Sequence, residues 1–160
     1  METRVGIGYD LHRMADERKL FIGGVEIPYI RGLAGYSDAD VLLHAICDAL
    51  LGAIAEPDIG ELFPDTDPQY QGISSAALLK TVLELVRKKG YGVVNLDTVI
   101  IAEEPKMSPF KNRIRESISG IMNIDKERVA VKAKTNEGVG ELGRKEGIAC
   151  FATVLLKKEN

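Results

Sequence analysis

Segments typical of strands alternate with segments typical of helices along this chain. Val93 to Ala102 and Gly147 to Lys157 are apolar and rich in β-branched residues, as strands are. Between strand patterns, a helix is predicted from Ser74 or Ser75 to about Lys89, where Gly90 ends it. Such alternation within 160 residues favours an α/β or α+β fold, a mixed sheet covered by helices. No internal repeat or linker interrupts it, so residues 1–160 are predicted to form a single domain.

Two further strands and a hairpin are predicted from local patterns. Arg4 to Tyr9 indicates a first strand, and Arg128 to Lys134 indicates a strand that alternates basic with small or apolar residues. Lys19 to Tyr29 is typical of a hairpin that turns at its pair of glycines.

Two further helices and one loop complete the prediction. Ser37 or Asp38 is predicted to cap a helix that runs to about Ala55. Ser108 and Pro109 are predicted to begin another helix, with Ser108 as its cap and proline at its first position. Residues 57–68 are rich in proline and aspartate, which favours a loop over regular structure.

The composition excludes several classes of partner. A net charge of −3 and a pI near 5.5 argue against nucleic acid, whose phosphates favour basic proteins. No apolar run reaches the 18 residues of a membrane span, and the first residues do not resemble a signal peptide, so we expect a cytoplasmic protein without a membrane partner. Cys47 and Cys150 lie in apolar patterns and are predicted to be reduced core thiols.

The chain has only two histidines, His12 and His44, and each lies near carboxylates. Asp10 precedes His12 by two residues, which puts both on the same side of an extended chain. Asp40 and Asp48 flank His44 at four-residue spacing, which puts all three on one face of a helix. Two imidazoles and one carboxylate are a ligand set of catalytic zinc, whose fourth position stays open. The alternative is that the histidines are unrelated, one in a loop and one in the core.

Two segments indicate phosphate binding. The turn Glu103 to Pro109 places Lys106 near a predicted helix N-terminus, and helix N-termini attract anions. Ala133 to Arg144 combines glycines with polar side chains, so its backbone amides can cradle phosphate while Glu137 holds Mg²⁺. The alternative for these segments is a solvated lysine and a plain glycine-rich loop.

Several separated segments, in the right order, resemble the 2-C-methyl-D-erythritol 2,4-cyclodiphosphate synthase family. The resemblance covers essentially the whole chain, and ordered matches are far more specific than any single motif. The matching segments are Gly8–His12, Ser37–His44, Asp58–Pro68, Pro105–Met107 and Gly143–Ala149.

The resemblance implies a homotrimer with active sites between subunits. It implies a Zn²⁺, or another divalent metal, held by Asp10, His12 and His44, and Mg²⁺ or Mn²⁺ held by Glu137 with the substrate. The implied reaction converts a small-molecule nucleotide, 4-diphosphocytidyl-2-C-methyl-D-erythritol 2-phosphate, into the cyclic diphosphate and CMP. The enzyme would be a phosphorus-oxygen lyase of the non-mevalonate isoprenoid pathway.

The resemblance also implies residue roles. Thr135 matches a transition-state stabiliser, and Tyr36 stands where many members have a histidine in a second such role. Asp40 and Asp48 are predicted to support the site, and we expect Asp48, one turn beyond His44, to orient it. The implied substrate-binding positions are Ser37, Asp58, Ile59, Gly60, Phe63, Asp65, Asp67, Ala102, Lys106, Met107, Ser108, Lys134, Thr135, Asn136, Glu137 and Arg144.

Two other functions are compatible with these residues. One is a zinc-dependent nucleotide pyrophosphatase that uses metal-bound water. The other is a non-catalytic trimer that binds nucleotides or prenyl diphosphates. Family members can have an apolar or aromatic residue where this chain has Glu141, facing a central cavity that accepts prenyl diphosphates above the arginine matching Arg144. A carboxylate there argues against that ligand.

Overall fold

The centre of the molecule is a five-stranded mixed sheet. The computed structural model describes residues 1–159, and within them the strand order is β4-β1-β7-β5-β6. β5 and β6 run parallel, while the other neighbours are antiparallel. The strands are β1 (Thr3–Ala15), β4 (Gly32–Leu33), β5 (Tyr91–Ile101), β6 (Val129–Lys134) and β7 (Gly147–Lys158), with β2 (Leu20–Ile22) and β3 (Val25–Ile27) forming a separate hairpin.

Helices cover one face of this sheet, so the predicted mixed sheet with helices is confirmed. None of the helices within residues 1–159 combines the length and the apolar character needed to cross a lipid bilayer. Cys47 and Cys150 are both buried and free, as predicted. The helices are α1 (Val41–Ala53), α2 (Ile59–Leu62), α3 (Ser75–Lys88), α4 (Lys111–Met122) and α5 (Gly140–Gly143).

Two glycines on β1 let α1 lie directly against the strand. A Cβ atom at Gly6 would lie 1.8 Å from the carbonyl oxygen of Ala49, and one at Gly8 would lie 1.8 Å from that of Ala45. These contacts are with the helix backbone, which cannot move aside as a flexible side chain can. Glycine at both positions therefore sets the distance between strand and helix.

The other face of β1 is exposed and apolar. Its side chains alternate with the two glycines, because successive residues of a strand point to opposite faces. Ile7 is 68% exposed, and Phe151 of β7 extends the apolar surface beside Tyr9. The exposed apolar residues of this face are Val5, Ile7, Tyr9, Leu11 and Phe151.

The predicted cap of the first helix is wrong. Asp40, not Ser37 or Asp38, is the N-cap of α1 and accepts a hydrogen bond from the Leu43 N–H at 3.1 Å. The same carboxylate accepts bonds from the N–H groups of Gly23 and Gly24, at 2.9 and 2.6 Å. Asp40 caps the helix because the β2–β3 hairpin supplies these two further donors, and the helix ends at Ala53, two residues before the predicted limit.

The predicted start of the third helix is also wrong. The N–H of Phe110 bonds to the carbonyl of Met107, so Ser108 and Pro109 belong to a separate turn. Helical hydrogen bonding starts only with the Ile114 N–H and the Phe110 carbonyl, and α4 begins at Lys111 without a side-chain cap.

Residues 57–68 are more regular than predicted. Asp58 caps α2 by accepting a bond from the Glu61 N–H at 3.1 Å, and Asp67 caps a 3-10 turn over Pro68–Tyr70. The aspartates that indicated a loop are the N-caps of short helices. The predicted hairpin and the helix capped by Ser74 are confirmed, whereas the first strand is longer than predicted and includes Asp10 and His12.

Candidate metal centre and active site

Asp10, His12 and His44 meet at one point near the end of β1. Asp10 Oδ2 lies 2.9 Å from His12 Nε2 and 3.1 Å from His44 Nδ1, and the two ring nitrogens are 3.1 Å apart. Tetrahedral zinc sites with bonds of about 2.0–2.1 Å to nitrogen place neighbouring ligand atoms about 3.3 Å apart. The three atoms form a cluster of the right size and chemistry for one divalent metal ion.

The backbone explains why these three side chains converge. Asp10 and His12 are two residues apart on β1, and His44 lies on the first turn of α1. The contact of Gly8 with the α1 backbone brings that turn close to the strand. The side chains of Asp10 and His12 on β1 and of His44 on α1 form one site because two glycines of β1 let the helix approach the strand closely.

The hydrogen bonds of His12 leave its Nε2 free for a ligand role. Its Nδ1 lies 2.6 Å from the carbonyl oxygen of Ala34, which can only accept a hydrogen bond. In the neutral ring Nδ1 therefore carries the hydrogen, and the lone pair of Nε2 points towards Asp10 and His44.

The electrostatics of the cluster favour an ionised carboxylate. Burial raises the pKa of Asp10, but hydrogen bonds from the rings of His12 and His44 in their protonated form outweigh it and hold the pKa well below its usual range. Burial lowers the pKa of His12, but the hydrogen bond and charge of Asp10 outweigh it and raise the pKa above the usual value. The negative charge at this point suits a bound cation.

A cavity of about 390 Å³ opens beside the two histidines. Six of the predicted site residues contribute to its wall beside the metal ligands: Tyr36, Ser37, Ile59, Gly60, Phe63 and Asp65. Apolar side chains make up much of the rest of the wall, among them Ile73 and Leu78. The cavity can therefore hold a small polar molecule with an apolar part next to a metal ion.

Asp40 and Asp48 make contacts other than those their spacing indicates. Asp40 is fully buried and bonds backbone N–H groups; burial raises the pKa of this carboxyl, while those bonds oppose the rise. Asp48 accepts a bond from the Ile59 N–H at 2.9 Å, so it ties the start of α2 to α1. Burial raises the pKa of Asp48, although this hydrogen bond opposes the rise. Ile59 lines the cavity, so Asp48 contacts the site through that loop.

A second group of predicted residues lies around the ends of β5 and β6. The carboxylate of Glu103 accepts bonds from the N–H groups of Asn136 and Gly138, at 3.0 and 3.2 Å, and so shapes the loop that follows β6. Ala102 and Met107 are buried, and the N–H of Ala102 bonds to the Lys134 carbonyl at 3.0 Å. The exposed members of this group are Lys106, Ser108, Lys134, Thr135, Glu137 and Arg144.

The structure does not bring the two groups together within one chain. One residue from each of β1, β7, β5 and β6 lies in the same row across the sheet: Leu11, Ala149, Ile101 and Lys134. Three strand spacings of about 4.8 Å place β6 roughly 14 Å from β1. The metal cluster and the loop after β6 therefore lie at the same end of the sheet but on strands far apart.

Arg144 is not free to bind an anion alone. Its guanidinium lies 2.7 Å from Glu146 and 3.7 Å from Glu141. Both carboxylates are at the surface, where ion pairs are weak but still compete for the cation.

Sequence analysis missed Ser75 and Asp38 as residues of the site. Ser75 Oγ lies 2.8 Å from His44 Nε2, and its backbone N–H donates to Asp38 Oδ2 at 3.0 Å. The sequence marks both residues only as possible helix caps. No local pattern links positions 38, 44 and 75, because the contacts form only when α3 packs beside α1.

Comparison with known proteins finds a matching family and relatives that are similar over nearly the whole chain. The family model of the YgbB family matches residues 3–157. The 2-C-methyl-D-erythritol 2,4-cyclodiphosphate synthase of Syntrophus aciditrophicus is 55% identical over 155 residues, which are 97% of this chain and 98% of that protein.

Solved structures with a similar fold are also found. The bifunctional IspDF of Campylobacter jejuni matches 99% of this chain with a TM-score of 0.95 and 40% identity, and this chain covers 43% of that larger one. A CDP complex of IspF from Plasmodium falciparum matches 99% of this chain, and 97% of its own, with a TM-score of 0.87 and 38% identity. The chain therefore belongs to the YgbB family.

Proposed function

We propose that this protein is a 2-C-methyl-D-erythritol 2,4-cyclodiphosphate synthase. It converts 4-diphosphocytidyl-2-C-methyl-D-erythritol 2-phosphate into the cyclic diphosphate and CMP, as a phosphorus-oxygen lyase of non-mevalonate isoprenoid synthesis. The observation that carries the proposal is the convergence of Asp10, His12 and His44 beside a cavity of about 390 Å³. Family membership supports the same activity, since the similar proteins carry this name.

The reaction is an intramolecular phosphoryl transfer. An oxygen of the 2-phosphate forms a bond to the β-phosphorus, while the bond from that phosphorus to the oxygen bridging the α-phosphate breaks. The electron pair of the broken bond leaves with CMP. A phosphate oxygen is already a nucleophile at neutral pH, so the protein has to position the groups and neutralise charge more than it has to remove a proton.

The donor groups fit the metals that we assign. Asp10, His12 and His44 would hold Zn²⁺, or another divalent ion, whose positive charge would orient and polarise the β-phosphate. Glu137 is an exposed carboxylate that would hold Mg²⁺ or Mn²⁺ with the substrate phosphates, and the ion would supply positive charge near the leaving group.

The walls of the cavity would hold the methylerythritol part. Ile59 and Phe63 offer apolar contact to its carbon skeleton, and Asp65 offers a carboxylate to its hydroxyl groups. Tyr36 lines the same cavity, and its hydroxyl would donate a hydrogen bond to the transferring phosphoryl group. Asp48 and Asp58 would act by shaping this loop.

The nucleotide part would bind around the ends of β5 and β6. Residues 102–108 would supply backbone groups and Lys106 for the cytosine and the phosphates, and residues 134–137 would supply backbone groups and the Thr135 hydroxyl. Thr135 would donate a hydrogen bond to the phosphoryl group in the transition state. The carboxylate of Glu103 holds this loop in place by accepting hydrogen bonds from the N–H groups of Asn136 and Gly138.

A homotrimer with sites between subunits would unite the two halves. Within one chain the metal cluster and the loop after β6 lie on strands roughly 14 Å apart. The apolar face of β1, from Val5 to Leu11, is exposed to solvent, and its burial against a second copy of the chain would be favourable. The loop after β6 of one subunit would then complete the cavity of its neighbour.

Family membership does not favour the other two functions. A pyrophosphatase would release CMP together with a linear product, and a binding protein would release no CMP. We include in the proposal that residues 1–160 act as one domain, that the protein is cytoplasmic, and that neither nucleic acid nor a membrane is a partner.

The test is turnover of the diphosphocytidyl substrate by metal-defined protein. Phosphorus NMR and release of CMP are followed with and without Zn²⁺ and Mg²⁺, in water enriched in ¹⁸O. We expect stoichiometric CMP and a cyclic diphosphate without solvent oxygen, and loss of both in His12→Ala. A linear product that contains ¹⁸O would establish hydrolysis instead, and tight binding without turnover would establish a binding protein.

A further inference from the structure

The side of the His44 ring that faces away from the metal cluster contacts Ser75, which has no assigned role, and Ser75 in turn contacts Asp38. His44 Nε2 lies 2.8 Å from Ser75 Oγ. The Ser75 hydroxyl in turn donates a hydrogen bond to Asp38 Oδ1, and the Ser75 N–H donates to Asp38 Oδ2 at 3.0 Å. Asp38, Ser75 and His44 thus form a continuous hydrogen-bonded chain that ends at the metal cluster.

The direction of each hydrogen bond in this chain follows from the donors available. A carboxylate offers only acceptors, so the one hydrogen of the Ser75 hydroxyl points to Asp38. The oxygen of Ser75 then presents a lone pair to His44 Nε2 at 2.8 Å. Asp10 Oδ2 is a competing acceptor at the other ring nitrogen, but it lies farther away, 3.1 Å from Nδ1, so Nε2 is the donor. In a neutral imidazole the other nitrogen, Nδ1, is left with a lone pair that points to Asp10 and His12.

Other groups do not replace Ser75 in this contact. Ser75 is completely buried, so water does not reach its hydroxyl. Ser37 Oγ also approaches His44 Nε2, but at 3.2 Å, and it already accepts a bond from the Ala39 N–H. The closer partner is therefore the buried serine.

We propose that Asp38 and Ser75 are positioning residues for the metal site. They hold His44 with its hydrogen on Nε2, and they thereby present Nδ1 to the metal in a fixed orientation. Groups that orient a metal-binding histidine in this way also raise the basicity of its ligand nitrogen. The inference rests on the metal site of the proposed function and not on its substrate.

The first test uses the unmodified protein without metal. Nitrogen-15 NMR of the histidine rings, at a pH high enough for both rings to be neutral, reports which nitrogen of His44 carries the hydrogen. We expect the hydrogen on Nε2. A ring that carries it mainly on Nδ1 would overturn the proposal, and this result does not depend on whether any variant folds.

The second test compares two neighbouring serines of the same helix. Ser75→Ala removes the partner of His44, whereas Ser74→Ala removes only the exposed hydroxyl that caps α3 through the Ala77 N–H. By competition with a chromophoric zinc chelator, we expect Ser75→Ala to bind zinc about 10- to 100-fold more weakly than the unmodified protein. Ser74→Ala should bind zinc with unchanged affinity, although it loses about 1 kcal/mol of helix-capping stability.

Zinc affinity in folded Ser75→Ala equal to that in Ser74→Ala would overturn the proposal. Mixed protonation of His44 Nδ1 and Nε2 in Ser75→Ala is the expected spectroscopic companion of the weaker binding. Neither measurement contains substrate. Failure of the synthase assay therefore leaves this inference standing, and failure of these tests leaves the proposed reaction to be judged by its own products.

Discussion

The two faces of β1 differ in a way that is unusual for a strand. The face turned towards the protein interior has glycine at positions 6 and 8, while the face turned to solvent has Val5, Ile7 and Tyr9. Small residues lie inside because the α1 backbone occupies the space that side chains would fill. Large apolar residues lie outside, where only another molecule can bury them. One face thus organises the metal site within the chain, and the other is the surface that we assign to assembly.

The largest expected effect is on the inner face. In Gly8→Ala the added methyl would lie 1.8 Å from the Ala45 carbonyl oxygen, so strand and helix have to separate. We expect the free energy of unfolding to fall by about 3 kcal/mol or more and zinc binding to be lost. Chemical denaturation and a zinc titration measure both.

Gly52→Ala is the matched control. Gly52 is exposed on α1, and a Cβ atom there meets only the Ile7 carbonyl oxygen at 3.9 Å. Alanine should stabilise this helix by about 0.5–1 kcal/mol. Equal stability of the two variants would show that the close approach at Gly8 is not needed.

The second effect concerns the outer face. Ile7→Glu places a charge in the middle of the exposed apolar surface without touching the core, so the unfolding free energy of the isolated chain should change by less than about 0.5 kcal/mol. Assembly should fail, and activity should fall on the order of 100-fold because each site loses its neighbour. Sedimentation velocity and CMP release measure these changes. Lys80→Glu, on the exposed side of α3, should change neither, and an active Ile7→Glu trimer would contradict the assignment of this face.

A smaller effect is expected at Asp48, on the helix that packs against the inner face. Asp48→Ala removes the acceptor for the Ile59 N–H, so the loop that lines the cavity loses one anchor. We expect KM to rise about tenfold, because the free energy of one hydrogen bond to a charged group corresponds to a change of about this size. The affinity for zinc should be unchanged. Asp48→Asn keeps an acceptor oxygen and should restore most of the loss. Weaker zinc binding in Asp48→Ala would instead support the orienting role that its spacing with His44 predicts.

The smallest effect is expected at Tyr36, in the cavity beside the metal cluster. Tyr36→Phe removes one neutral hydrogen-bond donor, so kcat should fall about 2- to 10-fold with little change in KM. Tyr36→His should retain a hydrogen-bond donor and most of kcat. Steady-state kinetics distinguish these results, and an unchanged kcat in Tyr36→Phe would exclude a role for the hydroxyl.

The sequence predicted those features that follow from short spacings or from the ligand chemistry of metal ions. The fold class follows from alternating apolar patterns, and the convergence of Asp10, His12 and His44 was predicted from the ligand chemistry of the two histidines. The cap of α1 was not predictable in this way. Ser37, Asp38 and Asp40 are all good capping residues, and the choice among them depends on amides of the β2–β3 hairpin.

Contacts between distant segments account for the other differences. Gly6 and Gly8 belong to an apolar run that predicts a strand, but only the packed helix shows why those positions lack side chains. Ser75 reaches His44 across 31 residues of sequence, so neither residue indicates the other. Short helices after residue 57 were missed because capping aspartates and prolines are also the residues of loops.

The carboxylate of Asp40 couples the local opening of the β2–β3 hairpin to that of α1. It accepts hydrogen bonds from Gly23 and Gly24 in the hairpin and from Leu43 in α1, and it is shielded from water on all sides. Freeing any one of these three amides leaves a buried acceptor short of a partner, which is costly. The three amides should therefore exchange their hydrogens with heavy water at a common rate. The hairpin and the helix would then open as one unit, although Gly24 and Asp40 are 16 positions apart in the sequence.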